Sequence, residues 1–181
     1  MSRIPTPSSI EAAPQGSQTS LQAVNSQLGS VPNLFRIVAN SPQALEGYLG
    51  LNGALGKGTL PAATRERLAL AVGEQNGCNY CLSAHTYLAS NLAKLSADEI
   101  AKNRRGSSED AKAAVAVEFA VAIVKNRGKV SDAQVRAVRD AGYSDAELVE
   151  IVGHVALNTL TNYMNEVLGT EVDFPAVKEL A

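Results

Sequence analysis

The sequence predicts an all-α protein, on three observations. Alanine, the strongest helix former, occurs 28 times in 181 residues, while the strand-favouring aromatics are limited to five Tyr and three Phe. No stretch sustains the apolar/polar alternation of a half-buried strand. Ser followed three residues later by Glu or Gln recurs ahead of apolar runs, which is the signature of a helix start. The length suits one domain with a continuous core.

The elements follow in order. Pro5, Pro7 and Pro14 stand among Ser, Thr and Gln, so residues 1–18 read as an extended arm. Such an arm is either a frayed end or a strap lying on a neighbouring subunit. Residues 19–181 read as a single helical domain. Residues 20–29 form a short helix stopped by Gly29. Ser41-Pro42 opens another, an N-cap with proline in the first helical position, which runs to about residue 55 and breaks at GKGT. Residues 61–75 are the next run, broken by Asn76-Gly77, and a helix follows over about 78–93. Ser96 with Glu99, Ser131 with Gln134 and Ser144 with Glu147 mark three later starts, with a long helix over about 109–126 between the first two. The last helix carries Leu148, Ile151, Val152, Val155, Ala156, Leu160, Tyr163, Met164 and Val167 as one apolar stripe. The sum is a compact bundle of about seven to eight helices.

Composition narrows the function. With 16 basic and 18 acidic side chains the net charge is -2, without the basic excess of a nucleic-acid binder. No apolar run approaches the roughly 20 residues that cross a bilayer. The N-terminus has no apolar h-region, so a secretory signal is not expected and a cytoplasmic location is. Two cysteines cannot make a disulfide scaffold.

Those cysteines carry the chemistry. Residues 66–85 read ERLALAVGEQNGCNYCLSAH, with Cys78 and Cys81 spaced C-x-x-C and His85 four beyond Cys81. On a helix, positions 78, 81 and 85 share one face. The Asn76-Gly77 break puts the cysteines in the first turn, where free N–H groups and the helix dipole favour a thiolate. A free thiol with a pKa near 8.5 is only a few per cent ionised at pH 7, so a neighbouring base matters. His85 is placed to be that base or its proton relay. In such a pair one sulfur is oxidised and the other resolves it as a disulfide. Cys81, nearer His85, is expected to attack, and Cys78 to resolve. Glu66 and Glu74 both precede the pair, and spacing does not choose between them. Competing readings are a structural zinc site on Cys78, Cys81 and His85 completed by His154, Glu66 or Glu74, a thioredoxin-like motif, and plain buried cysteines. The helical character of residues 61–75 argues against the thioredoxin context.

This stretch resembles the E-x(11)-C-x-x-C-x-x-x-H pattern of the carboxymuconolactone decarboxylase/AhpD superfamily, and CNYCLSAHT is similar to its AhpD-like, peroxidase-related branch. The resemblance covers about residues 42–127, and GYSDAELVEIVGHVALNTLTNYMNEV resembles the branch's C-terminal helix. It implies an all-helical oligomer, a trimer or hexamer, that reduces hydroperoxides with thiols and no bound cofactor or metal. It implies Cys81 as the peroxidatic cysteine that becomes a sulfenic acid and Cys78 as the resolving cysteine and proton donor. His85 and Glu66 become the relay, and an unidentified dithiol the reductant. One position departs: Tyr80 stands where AhpD has a histidine, and a phenol with a pKa near 10 is a poor base at neutral pH. Decarboxylase members lack the cysteine pair, so a lactone decarboxylase is the rival enzyme. A non-catalytic metal-binding module is the rival outside enzymes.

Lesser candidates complete the reading. His154 reads as a satisfied core or interface histidine. Asn158, Asn162 and Asn165 form a polar ridge that suits a partner helix or subunit. Arg104-Arg105 reads as a solvated turn, and Glu118 as a lone charge that a buried Arg could pair.

Overall fold

The computed structural model describes residues 2–177 and residue 180, and contains nine α-helices and no strand among them. They are α1 (Gln15–Leu28), α2 (Asn33–Val38), α3 (Pro42–Gly56), α4 (Ala62–Gln75), α5 (Asn79–Asn91), α6 (Ala97–Arg104), α7 (Ala111–Lys125), α8 (Asp132–Asp140) and α9 (Asp145–Leu168). The expected starts at Ser41, Ser131 and Ser144 are N-caps as drawn, and the last two are complete capping boxes. Two differences stand at the N-terminus. The first helix begins at Gln15, not near residue 20, and α2 lies outside the sequence-based reading. That six-residue helix has Pro32 at its N-cap and no local side-chain cap. Its Asn33 amide donates instead to Asp173 Oδ2 at 2.8 Å, a partner 140 residues away, so no local pattern announces it.

α4 is the central helix, packed against α5, α6, α7 and α9. Its residues Leu68, Ala69, Leu70, Ala71, Val72 and Gly73 are all buried in succession. A helix covered on every side must be narrow, and alanine and glycine keep it so. One core layer joins Leu68 and Val72 to Val117, Phe119, Val138 and Ile151 of α7, α8 and α9. A second gathers Leu21, Ile37, Leu45 and Tyr48 of α1, α2 and α3 over Cys78, Tyr80, Cys81 and Leu157, and a small third joins Leu70, Ala89 and Ile100. The cysteines therefore form part of a hydrophobic floor.

The arm lies on its own chain. The Arg3 amide and guanidinium donate to the carbonyls of Leu168 and Val167, closing the open end of α9, while Asn40 and Arg36 hold the carbonyls of Pro5 and Ser8.

The α9 stripe divides in two. Ile151 and Val155 face inward with Leu157, whereas Val149, Val152, Leu160, Tyr163 and Val167 are exposed. The inward face of the C-terminal half is polar: Asn158, Thr161, Asn162 and Asn165 are all buried. Glu118 is exposed, so it pairs no buried Arg. No helix among the described residues is long and apolar enough to cross a membrane.

Ser96 caps α6, but Glu99 does not complete the expected box. Its carboxylate accepts instead from Arg67 Nε at 2.6 Å, Asn103 Nδ2 at 3.0 Å, Ser108 Oγ at 2.5 Å and the Glu109 amide at 2.6 Å. Burial works against the charge, yet these four bonds outweigh it and hold the carboxyl down to about 2. A carboxyl with a lowered pKa stabilises the fold above its unfolded value and loses that contribution as pH falls through its folded one. Glu99→Gln leaves Arg67 without its partner and should cost about 3 kcal/mol in urea unfolding at pH 7. The difference between variant and wild type should shrink between roughly pH 4.5 and pH 2.

Candidate functional site

The site is built by the way α4 stops. Gly77 takes φ 67°, a left-handed conformation that glycine adopts without strain. The amide of Gly77 donates to the Glu74 carbonyl at 3.1 Å and that of Cys78 to the Gly73 carbonyl at 3.0 Å. This paired pattern closes a helix C-terminus and turns the chain sharply. Asn76-Gly77 thus delivers Cys78 directly to the N-cap of α5. There its sulfur accepts from the Cys81 amide at 3.3 Å.

Cys78 and Cys81 are joined as a disulfide. Cys78 is fully buried and Cys81 is 4% exposed. A third side chain reaches the pair from α9: Asn165 Nδ2 donates to Cys81 Sγ at 3.2 Å. Its neighbour Asn162 accepts from Asn76 Nδ2 at 2.8 Å, pinning the turn itself. Asn158 donates to the His154 carbonyl within α9. Through Asn162 and Asn165 the asparagine ridge therefore meets the end of α4 and α5 of its own chain, so of the two partners expected for it, a helix or a subunit, the structure gives it a helix.

The two candidate carboxylates go to different partners. Glu66 Oε2 lies 2.9 Å from His85 Nδ1, with the side chains 20% and 23% exposed, one helical turn beyond Cys81. Glu74 Oε2 takes Arg104 Nε at 2.6 Å instead and does not meet His85. Arg104 is buried while Arg105 beside it is exposed, so the expected solvated turn is corrected for Arg104 alone.

Tyr80 occupies a structural post. Its hydroxyl accepts from the Leu34 amide at 3.0 Å and lies in the field of the Asp173 carboxylate. Its ring meets Phe174 edge-on at 5.8 Å between centroids, and Phe174 also lies 6.0 Å from Tyr87. Burial raises the hydroxyl's pKa well above the phenol value, the Leu34 amide opposes this, and Asp173 adds to the rise. A hydroxyl so held is no base at neutral pH.

His154 is buried, and among the described residues its Nε2 has no partner, so of the core or interface histidine expected the structure does not give the satisfied core one. Burial lowers its pKa, Arg65 lowers it further, and Glu150 and Glu66 work the other way. Among the described residues no three His, Cys, Asp or Glu side chains converge on a common point that could hold a metal ion. With their sulfurs bonded to each other, Cys78 and Cys81 present no thiolate to one.

Residues 42–125 match the carboxymuconolactone decarboxylase family model. The alkylhydroperoxidase AhpD core, peroxidase-related protein of Ralstonia eutropha JMP134, superposes with a TM-score of 0.84 at 27% identity, covering 95% of this chain and 92% of that one. A peroxidase-related protein from Silicibacter sp. TM1040 gives 0.77 at 24% identity, over 88% and 85% of the two chains. A variant of the debrominase Bmp8 in complex with 2,3,4-tribromopyrrole gives 0.80 at 18%, over 96% and 94%. The last two share the fold. No curated protein matches the chain.

Tyr80→Phe separates structure from chemistry. Loss of the hydroxyl leaves the buried Leu34 amide unpaired, which should cost about 1–3 kcal/mol in chemical unfolding. The pH dependence of thiol alkylation at Cys81 should stay as in the wild type.

Proposed function

Because the chain belongs to the carboxymuconolactone decarboxylase/AhpD-like superfamily, we propose that it is a thiol-dependent peroxidase acting on hydrogen peroxide or alkyl hydroperoxides. The observation that carries this reading is the bonded Cys78–Cys81 pair with a carboxylate–imidazole pair, Glu66 and His85, one helical turn away. A dithiol that closes to a disulfide in place can accept one oxygen atom's worth of oxidation and be reset.

The cycle starts from reduced protein. With Nδ1–H donated to Glu66, His85 keeps a basic Nε2 that takes the Cys81 proton. The thiolate's electron pair attacks the distal peroxide oxygen, forming an S–O bond as the O–O bond breaks. The departing alkoxide takes the proton back from the imidazolium and leaves as an alcohol, or as water from hydrogen peroxide. Cys81 is now a sulfenic acid. Cys78, whose sulfur sits in the N-cap of α5, attacks it as the thiolate. The S–S bond forms, and the hydroxyl leaves as water with the proton Cys78 gave up. An external dithiol then reduces the disulfide.

Cys81→Ser should consume no hydroperoxide, while Cys78→Ser should halt at a sulfenic acid on Cys81 that dimedone traps. An adduct on Cys78 in Cys81→Ser, with none in Cys78→Ser, reverses the roles. His85→Ala should slow Cys81 oxidation at pH 7 by ~10²–10⁴-fold, recovering in part at higher pH. Glu66→Gln should act in the same direction but less, and Glu74→Gln less still, because Glu74 serves Arg104.

The outward stripe of α9 supports assembly of a homo-oligomer. Val149, Val152, Leu160, Tyr163 and Val167 are all exposed at helical spacing, and such a face finds its partner in a symmetric closed assembly. Sedimentation should give a trimer or hexamer, and Tyr163→Lys should shift it toward the 18.9 kDa monomer.

A further inference from the structure

The two sulfurs of the pair are served by different donors. The start of α5 serves Cys78, whose Sγ accepts the Cys81 amide. That amide is thereby committed, and the helix N-terminus stabilises charge on Cys78 rather than on Cys81. Yet in the proposed cycle Cys81 is the sulfur that must carry charge first. Among the described residues the one hydrogen bond reaching Cys81 Sγ comes from α9, from Asn165 Nδ2 at 3.2 Å.

Asn165 is fixed in that position. It is 3% exposed, and its backbone carbonyl takes the amides of Gly169 and Thr170 where α9 ends. Asn162, one turn before it, is bonded to Asn76 at the turn that carries the cysteines. Sulfur and donor are thus tied to the same α4–α9 contact. The other atom of the amide, Oδ1, is buried and has no partner among the described residues. A buried acceptor without a donor is uncommon and calls for an explanation, a catalytic role being one. In Cys–SOH at Cys81 the sulfur that Nδ2 contacts would carry an O–H donor.

We propose that Asn165 is a catalytic residue of this site, its Nδ2–H holding Cys81 as the attacking thiolate and its Oδ1 then receiving the hydroxyl of the Cys81 sulfenic acid. The inference rests on the peroxidase reading for the second role and on geometry alone for the first. The electron flow is that of the cycle above. The amide neither gains nor loses a proton. It shares its N–H with the thiolate before attack and accepts the sulfenic O–H after it. Held in this way, the hydroxyl stays in place until Cys78 displaces it as water. Tyr48 and Tyr80 pack in the same core layer as the pair, Asp173 acts on Tyr80, His85 pairs with Glu66 one turn beyond Cys81, and His154 of α9 is near enough to Glu66 to feel its charge. None of them contributes the bond to Cys81 Sγ.

The test measures the pH dependence of iodoacetamide alkylation in the fully reduced chain, with each cysteine resolved by fragment mass spectrometry. Loss of a hydrogen bond to an ionised sulfur should raise the pKa of Cys81 by about one unit in Asn165→Ala and leave Cys78 in place. Asn165→Asp, nearly isosteric but without the donor, should raise it further. Lifetimes of the sulfenic acid in the Cys78→Ser background should shorten in Asn165→Ala. A Cys81 titration that does not move in a folded variant overturns the proposal, and so does a shift of both sulfurs together, which would mark a purely structural role. The wild-type chain gives a check that needs no substitution. The side-chain amide protons of Asn165 should shift with the midpoint of Cys81 ionisation, and signals indifferent to it contradict the assignment. If Cys81 titrates as expected but no hydroperoxide is consumed, the peroxidase reading fails while the donor role of Asn165 stands.

Discussion

Everything at the site depends on the turn between α4 and α5. Gly77 in the left-handed region, with two amides folded back onto Gly73 and Glu74, ends one helix and starts the next within three residues. Because the turn is this short, the C-x-x-C segment inherits the rigidity of α4, itself the most deeply buried helix. Asn162 of α9 closes the arrangement from the third side by accepting from Asn76. The cysteines are not on a loose loop. They stand at a junction of three packed helices, where sub-ångström placement of a reacting sulfur is sustained by core packing.

The same burial decides what the charges of α4 can do. Of its four charges Arg65 donates to the Gly56 carbonyl, and the other three each find a charged or imidazole partner on a neighbouring helix: Arg67 takes Glu99, Glu74 takes Arg104, and Glu66 takes His85. The first two pairs join a permanently charged guanidinium to a carboxylate and act as struts. Only the third contains an imidazole. It is also the more exposed pair, and in the proposed cycle it is the one that passes protons. On that reading structural and chemical charge are separated on one helix.

Much of this was legible in the sequence. Helix starts at Ser41, Ser131 and Ser144 are local signals, decided by side chains within three residues, and the structure repeats them. The C-x-x-C-x-x-x-H spacing and the Asn-Gly break placed both cysteines in the first turn for equally local reasons. What escaped was set at long range. α2 is capped by Asp173, Glu99 leaves its box for Arg67, and Arg104 turns inward to Glu74. The asparagine ridge was visible, but periodicity cannot tell which side of an apolar helix faces the core when both sides are apolar. Here the polar residues at 158, 162 and 165 are the buried ones, because a sulfur and a turn amide need donors and acceptors more than that layer needs methyl groups.

A fold shared with a debrominase at 18% identity leaves the chemistry to be argued from the site. The central claim is that Cys78 and Cys81 convert together, one disulfide for one hydroperoxide. Stoichiometric mixing of the reduced chain with one equivalent of hydroperoxide, followed by intact-mass analysis, tests it most directly. The account predicts a loss of about 2 Da, the two thiol hydrogens, confined to the peptide holding both cysteines. It also predicts disappearance of one peroxide per disulfide, faster than with a free dithiol at the same concentration. Peroxide consumed while both thiols stay intact, or thiols oxidised no faster than the free dithiol, would contradict it.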